Sequence, residues 1–346
     1  MCLYPKLIRN KKYTSNKKNG WVIPAVFDNR TLFVPVGCGN CIECRKQNAR
    51  QWQVRLSEEI QQHKHKHMVT LTFNEYSLNQ LTNEVMGTGL YHKLEENEVC
   101  KIALRRFLER WRKRYKVSVR HWLITELGHT STERIHLHGI IFTDKPSMIE
   151  HIWSYGYVYL GDYVNEKTIN YIIKYVTKID KDHKGYKPKI FTSSGIGKSY
   201  LLKPDSKLNK FNGTETREYY KTRQGLKLNL PIYYRNKIYN DEEREQLWIQ
   251  RLDKNERWIM GEKVEADSEE EEQTRKFYQR KNTTLGYGDN SEEWSIKSYK
   301  KMRKRLKKID REYVDKHVHI EGLAHIDKAL SYGKGAIALS AQLGIS

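Results

Sequence analysis

The chain has 346 residues, 30% of them charged and 38% hydrophobic, with a formal net charge of +21. It is long enough for two domains or for one with appendages, and no apolar run approaches the roughly 18–20 residues of a membrane span. Residues 1–230 hold 40 Lys+Arg against 21 Asp+Glu, a net +19, while residues 231–346 are nearly balanced at +2. A polyanion is the natural partner of the basic part, the phosphate backbone above all. A basic protein without a dedicated anion site is the plainer reading of the same charge. The first residues lack a signal-peptide core, so a cytosolic location is expected, with five cysteines reduced or metal-bound.

Residues 1–62 form a basic N-terminal segment. Trp21-Val22-Ile23 and Thr31-Leu32-Phe33-Val34 read as a hairpin or irregular β-structure. Cys38, Cys41 and Cys44 make two overlapping CxxC steps. That spacing aims thiolates at one centre and suits a structural zinc, with Cys2 as the fourth ligand. Three reduced thiols at a tight turn, or an iron–sulfur cluster, are the other readings. Residues 45–62 predict a basic amphipathic helix, and the following His63-Lys64-His65-Lys66-His67 reads as a solvated or phosphate-touching approach.

Residues 63–180 carry the densest pattern. A strand at 67–73 is followed by a loop over 74–97 and a helix over 98–115, in which Cys100 is core. Strands follow at 118–127 and 134–142, then a helix at 147–154, a strand near 157–160 and a helix at 166–180. This β-α-β-β-α-β order predicts an α+β protein with a ferredoxin-like antiparallel sheet covered by helices.

Residues 181–230 read as a basic, loop-rich, DNA-contacting segment. Ser194-Gly195-Ile196-Gly197-Lys198-Ser199 resembles the end of a P-loop, but Thr192 stands where a Walker motif needs glycine. This argues against an NTPase and leaves the glycines and Lys198 free for a DNA phosphate. Residues 231–346 read as a charged, helical C-terminal extension. It has a helix over 241–260 that includes Trp258, a mobile acidic stretch at 265–272, and a basic amphipathic helix through Tyr299, Met302, Leu306, Ile309 and Tyr313. The last twenty-odd residues read as a fraying tail.

His136 and His138 are separated from chance HxH pairs by context. On a strand, residues i and i+2 leave the same face, and these two run into Ile140-Ile141-Phe142. Glu126, across a polar turn, comes beside them by antiparallel pairing. Two histidines and a carboxylate suit Mg²⁺ or Mn²⁺. On the helix, with Tyr171 at 0°, Lys174, Tyr175 and Lys178 fall near 300°, 40° and 340°. The isoleucines of this helix point the other way. Two phenols flanked by two ammonium groups make candidate nucleophiles, because nearby lysines favour the phenolate. Satisfied core histidines and an ordinary polar helix face are the bland alternatives.

Val69-Thr70-Leu71-Thr72-Phe73, His136-Leu137-His138 and Tyr171-Ile172-Ile173-Lys174-Tyr175-Val176-Thr177-Lys178 resemble the three ordered motifs of HUH endonucleases. The paired tyrosines, the cysteine knuckle and Gly195-Ile196-Gly197-Lys198-Ser199-Tyr200-Leu201 are similar to rolling-circle replication initiators of gokushovirus-type microviruses, over roughly residues 1–260. The resemblance implies the HUH fold and a metal site at Glu126, His136 and His138. It implies nicking of single-stranded origin DNA through a 5′-phosphotyrosine on Tyr171 or Tyr175, aided by Lys174 and Lys178, leaving a 3′-OH primer. It further implies work beside a host helicase and polymerase in the bacterial cytoplasm, with no membrane partner. The alternative from another class is a non-catalytic, basic single-stranded nucleic-acid-binding protein, which would be expected to stack bases on sheet aromatics.

Overall fold

The computed structural model describes residues 1–87, 96–128, 133–180, 182–183, 186–289 and 294–303. In chain order the elements are β1 (Lys6–Arg9), β2 (Phe33–Val36), α1 (Ile42–Gln62), β3 (His67–Leu71), α2 (Glu75–Gly87), α3 (Glu96–Tyr115), β4 (Arg120–Leu127), β5 (Ile135–Phe142), α4 (Ser147–Trp153), β6 (Val158–Gly161), α5 (Glu166–Thr177) and β7 (Ile190–Thr192). They continue with α6 (Pro204–Lys207), β8 (Tyr219–Lys221), β9 (Lys227–Asn229), α7 (Ile232–Ile238), α8 (Asp241–Asp253), β10 (Glu256–Ile259), β11 (Glu262–Glu265) and α9 (Glu269–Thr284). No helix among the described residues is long and apolar enough to cross a membrane.

Contacts divide the chain into two compact units, Arg45–Asn240 and Met1–Cys44 with the residues from Asp241 on. The first unit is built on a five-stranded sheet in the order β6-β3-β5-β4-β7, every neighbouring pair antiparallel. β5 lies between β3 and β4, so the crossover through α2 and α3 is split by one strand. Strand alternation sorts the side chains onto two faces. One face carries Val69, Leu71, Leu123, Leu137 and Ile141, buried against α2, α3 and α4. The other carries Trp122, Ile124, Ile140 and Phe142, buried against α1 and α5. Gly139 lets β5 sit tight on β4: a Cβ there would lie 2.0 Å from the Trp122 carbonyl oxygen.

Several expectations change. The stretch expected as a loop over 74–97 contains α2. Asn74 accepts from the Ser77 amide at 2.8 Å, and Leu81 and Val85 are buried. The segment expected to be loop-rich adds β7 to the sheet edge, where Trp122 pairs with Thr192. Gly197, at φ +75°, is packed against α1, and its amide donates to the Glu59 carboxylate at 2.6 Å, so that amide is not available to a phosphate. His63 bonds Glu59 and His67 is buried, so only part of the His/Lys comb faces solvent.

In the second unit β1 and β2 form one antiparallel ladder, while Trp21, Val22 and Ile23 are exposed and outside any strand. The helix expected over 241–260 stops at Asp253, and Trp258 lies exposed on the β10–β11 hairpin. The acidic stretch expected to be mobile holds the start of α9, capped by Ser268 Oγ on the Glu271 amide. Residues 296–303 are helical. Leu306, Ile309, Tyr313 and the tail lie outside the described residues, as do Thr88 and Gly89 of the expected turn.

Candidate metal centre and tyrosine pair

The β4–β5 register sets Glu126 opposite His136 and Ile124 opposite His138. Both imidazoles converge on one carboxylate oxygen: His138 Nε2 is 2.9 Å and His136 Nε2 3.3 Å from Glu126 Oε2. Each ring is oriented from behind. His136 Nδ1 donates to the Arg134 carbonyl at 3.1 Å, and His138 Nδ1 lies 3.0 Å from Thr70 Oγ1. These contacts turn both Nε2 atoms toward the site, as outer hydrogen bonds do for metal-ligating histidines. A carbonyl can only accept, so His136 presents a lone pair to a carboxylate unless a proton or cation lies between them. Ligand atoms from all three residues lie within 4.8 Å of one another. The donor set therefore fits a divalent cation.

Electrostatics agree. Burial alone would raise the Glu126 carboxyl, but hydrogen bonds from His136, His138 and Lys178 outweigh it and hold it far below the usual carboxylate range. Burial lowers His138, against the pull of Glu126, and so favours the neutral ring that a ligand needs.

α5 brings the tyrosines. Asn165 and Thr168 form its capping box, each side chain bonding the other's amide. Ile169, Ile172, Ile173 and Val176 are buried. At about 1.5–3 kcal/mol for each large aliphatic side chain, their burial fixes the rotation of the helix. Tyr175 then stacks on His138, with ring centroids 4.5 Å apart and planes 6° from parallel. Its hydroxyl donates to Tyr171 Oη at 2.9 Å. The two phenols differ in access: Tyr171 is 42% exposed and Tyr175 only 5%. Lys174 Nζ lies 3.9 Å from the Tyr171 ring centroid.

Two expectations are corrected here. α5 ends at Thr177, and Lys178 takes extended backbone (ψ 134°), so its ammonium pairs with Glu126 Oε1 and lies 5.9 Å from the Tyr175 ring centroid. The lysines do not favour a Tyr175 phenolate either. Burial, then the bond to Tyr171, pushes that phenol above its ordinary value. Thr70 belongs to the site and was not singled out from the sequence. Its only local signal is the alternation of β3.

Cys2, Cys38, Cys41 and Cys44 form a second cluster, in the other unit. All are free thiols. Sγ separations are 3.9 Å for Cys2–Cys41 and 4.0 Å for Cys38–Cys44. A tetrahedral zinc with Zn–S near 2.3 Å has edges of about 3.8 Å, so the donors fit. Hydrogen bonds among the thiols, from Cys2 first, push Cys38 far down and Cys41 to about 7. α9 holds the surrounding backbone. Arg275 donates to the Cys2 carbonyl at 3.0 Å, Gln279 to the Leu3 carbonyl at 2.9 Å, and the Ile42 amide donates to Asn282 at 2.8 Å. None of these three residues was apparent from the sequence.

Comparison with known proteins follows the same region. Residues 66–180, about a third of the chain, match the family model of the replication-associated protein ORF2. The chain is 28% identical to the replication-associated protein ORF2 of Spiroplasma virus 4 over 200 residues, which cover 51% of this chain and 59% of that protein. The matched span is thus less than two thirds of the relative's length. No solved structure matches the chain. The matched residues hold the three-residue cation site and both tyrosines, so the part of this chain that resembles viral replication-associated proteins is the part with the chemistry.

Proposed function

We propose that the chain is a rolling-circle replication initiator of a single-stranded DNA bacteriophage, a metal-dependent HUH endonuclease and strand transferase acting on origin DNA. The observation that carries this reading is the convergence of His136, His138 and Glu126 beneath a tyrosine pair, with Tyr175 stacked on His138. The split crossover, with β5 between β3 and β4, supports the ferredoxin-like plan of that fold.

Mg²⁺ or Mn²⁺ held by Glu126, His136 and His138 would supply polarisation of a phosphate oxygen. Tyr171 is the better placed first nucleophile, being exposed and accepting a hydrogen bond from Tyr175. A donor on its oxygen and the Lys174 ammonium at its ring both favour the phenolate. Tyr171 Oη bonds to phosphorus as the bond to O3′ breaks. The phenolic proton passes to solvent, and the departing O3′ takes one up. The products are a 5′-phosphotyrosyl strand and a 3′-OH that a host polymerase extends behind a host helicase. Tyr175, freed from its bond to Tyr171, serves the second cleavage, and the 3′-OH released there closes the circle. The phosphotyrosyl bond keeps the phosphodiester energy, so no nucleotide hydrolysis is needed. The four cysteines hold a structural zinc, and the reaction belongs to the host cytoplasm.

The test is incubation with Mn²⁺ and end-labelled single strands tiling the encoding replicon, read as a covalent adduct on a denaturing gel. The wild type forms the adduct. The Tyr171→Phe/Tyr175→Phe double variant and His136→Ala do not. A wild type that forms none on any strand overturns the proposal.

A further inference from the structure

We infer that Tyr157 and Tyr159 are a stacking platform for bases of the single strand whose phosphate lies at His136, His138 and Glu126. This rests on the function proposed above. β6 is an edge of the five-stranded sheet. Val158 is buried in the core beneath α3 and α4, so its neighbours Tyr157 and Tyr159 leave the opposite face, the one that carries the histidines. The register is direct: Tyr159 pairs with Thr70, and Thr70 pairs with His138. One step further, the Thr72 amide donates to the Tyr157 carbonyl at 3.0 Å, which sets Tyr157 level with the row of His136 and Glu126. With strands about 4.8 Å apart, each tyrosine stands two strands, about 10 Å, from the histidine of its row. A base attached beside the bound phosphate spans such a gap.

The two rings are open to solvent. α1 and α5 close this face over β4 and β5, where Trp122, Ile124, Ile140 and Phe142 are buried. Over β6, Tyr157 is 68% and Tyr159 49% exposed. Gly161 adds no side chain, and a Cβ placed there would touch the Tyr159 ring at 3.5 Å. The ring therefore lies back along the strand over Gly161. Residues i and i+2 of a strand are about 6.7 Å apart, twice the roughly 3.4 Å step of stacked bases, so a base fits between the rings or one rests on each.

The occupant is argued from charge and continuity. Residues 1–230 carry a net +19, and the platform runs into a site that already presents Lys174. A protein strand added to the β6 edge would use its backbone groups and leave the tyrosine faces unused. Bases use those faces, and do so with little regard to sequence.

The test is fluorescence anisotropy of fluorescein-labelled oligothymidylate and of a mixed-sequence single strand. The proteins are the full-length wild type, Tyr157→Ala, Tyr159→Ala, the double alanine variant and the two phenylalanine variants. Each alanine is expected to weaken binding about five- to hundredfold, and each phenylalanine to bind close to wild type because the ring remains. An abasic nucleotide at the contacted position should erase the difference between wild type and the alanine variants. Melting temperatures should not move, because both side chains are exposed. A double alanine variant that binds like wild type overturns the platform. So do phenylalanine variants as weak as the alanines, which would assign the effect to the hydroxyls. The adduct assay separates the two readings. An adduct in wild type with unchanged binding in the double alanine variant removes the platform alone. Ring-dependent binding with no adduct removes the endonuclease alone.

Discussion

Replacing Thr70 with valine removes one hydroxyl from the metal-facing side of β3 and keeps a β-branched side chain suited to the strand. That oxygen lies 3.0 Å from Nδ1 of the buried His138 ring. Without it, a proton on Nδ1 becomes an unpaired buried donor, at a cost of about 1–3 kcal/mol. The ring escapes that cost in the other tautomer, with the proton on Nε2 donated to Glu126 Oε2 across 2.9 Å. A cation must then displace this proton before His138 can ligate. At about 1.4 kcal/mol per factor of ten, the penalty corresponds to a loss of about 5–150-fold in Mn²⁺ affinity, the range in which cutting an outer hydrogen bond of a metal ligand acts. Calorimetric titration of Mn²⁺ into wild type, Thr70→Val and Thr70→Ser measures it, with thermal melting as the fold control. The serine variant keeps the hydroxyl and should bind as wild type does. A well-folded valine variant with undiminished affinity refutes the reasoning.

Other perturbations follow from the same geometry. Tyr175→Phe removes the hydrogen bond to Tyr171 Oη and should slow the first adduct about 10–100-fold, the worth of a bond to a charged group; Tyr171→Phe should abolish it, and peptide mapping of the adduct decides between them. Arg275→Ala leaves Glu271 buried without its cation and the Cys2 carbonyl without its donor. A loss of about 3–5 kcal/mol is expected in urea denaturation, and a much smaller one for Glu271→Leu/Arg275→Met, which removes both charges. His121 is buried, and burial lowers its pKa below the ordinary 6.5. The unfolded chain therefore binds the proton first, so this contribution to stability is whole above pH 6.5 and is lost as pH falls below it. His121→Gln should flatten that part of the stability profile relative to wild type, and parallel profiles would remove the assignment.

How much of this was readable in the sequence depended on the range of each pattern. The histidines and Glu126 could be read because strand alternation and a hairpin are local rules, and the β4–β5 register obeyed them. Thr70 could not, because its contact with His138 is made across β3–β5, a pairing between strands 68 residues apart that no local pattern reports. α2 was hidden by sparse apolar spacing in a polar stretch, although Asn74 stood at its cap. β7, three residues long, is too short to show a period.

The two errors at α5 and α9 have a common physical source. Helix phase correctly put Tyr171 and Tyr175 on one side, but the angle between them is only about 40°. What separates an exposed phenol from a buried one is the His138 ring beneath Tyr175, which belongs to another element. On α9, Arg275, Gln279 and Asn282 recur at i, i+4 and i+7, a polar stripe that reads as a solvated face. In the fold that stripe is turned inward, because the backbone around Cys2, Leu3 and Ile42 needs hydrogen-bond partners that the cysteine knuckle does not provide. Amphipathic reasoning assigns inside and outside by apolarity. It fails where a helix is recruited to satisfy a buried irregular backbone, and a chain whose N-terminal knuckle is short of regular structure is where such a helix is to be looked for.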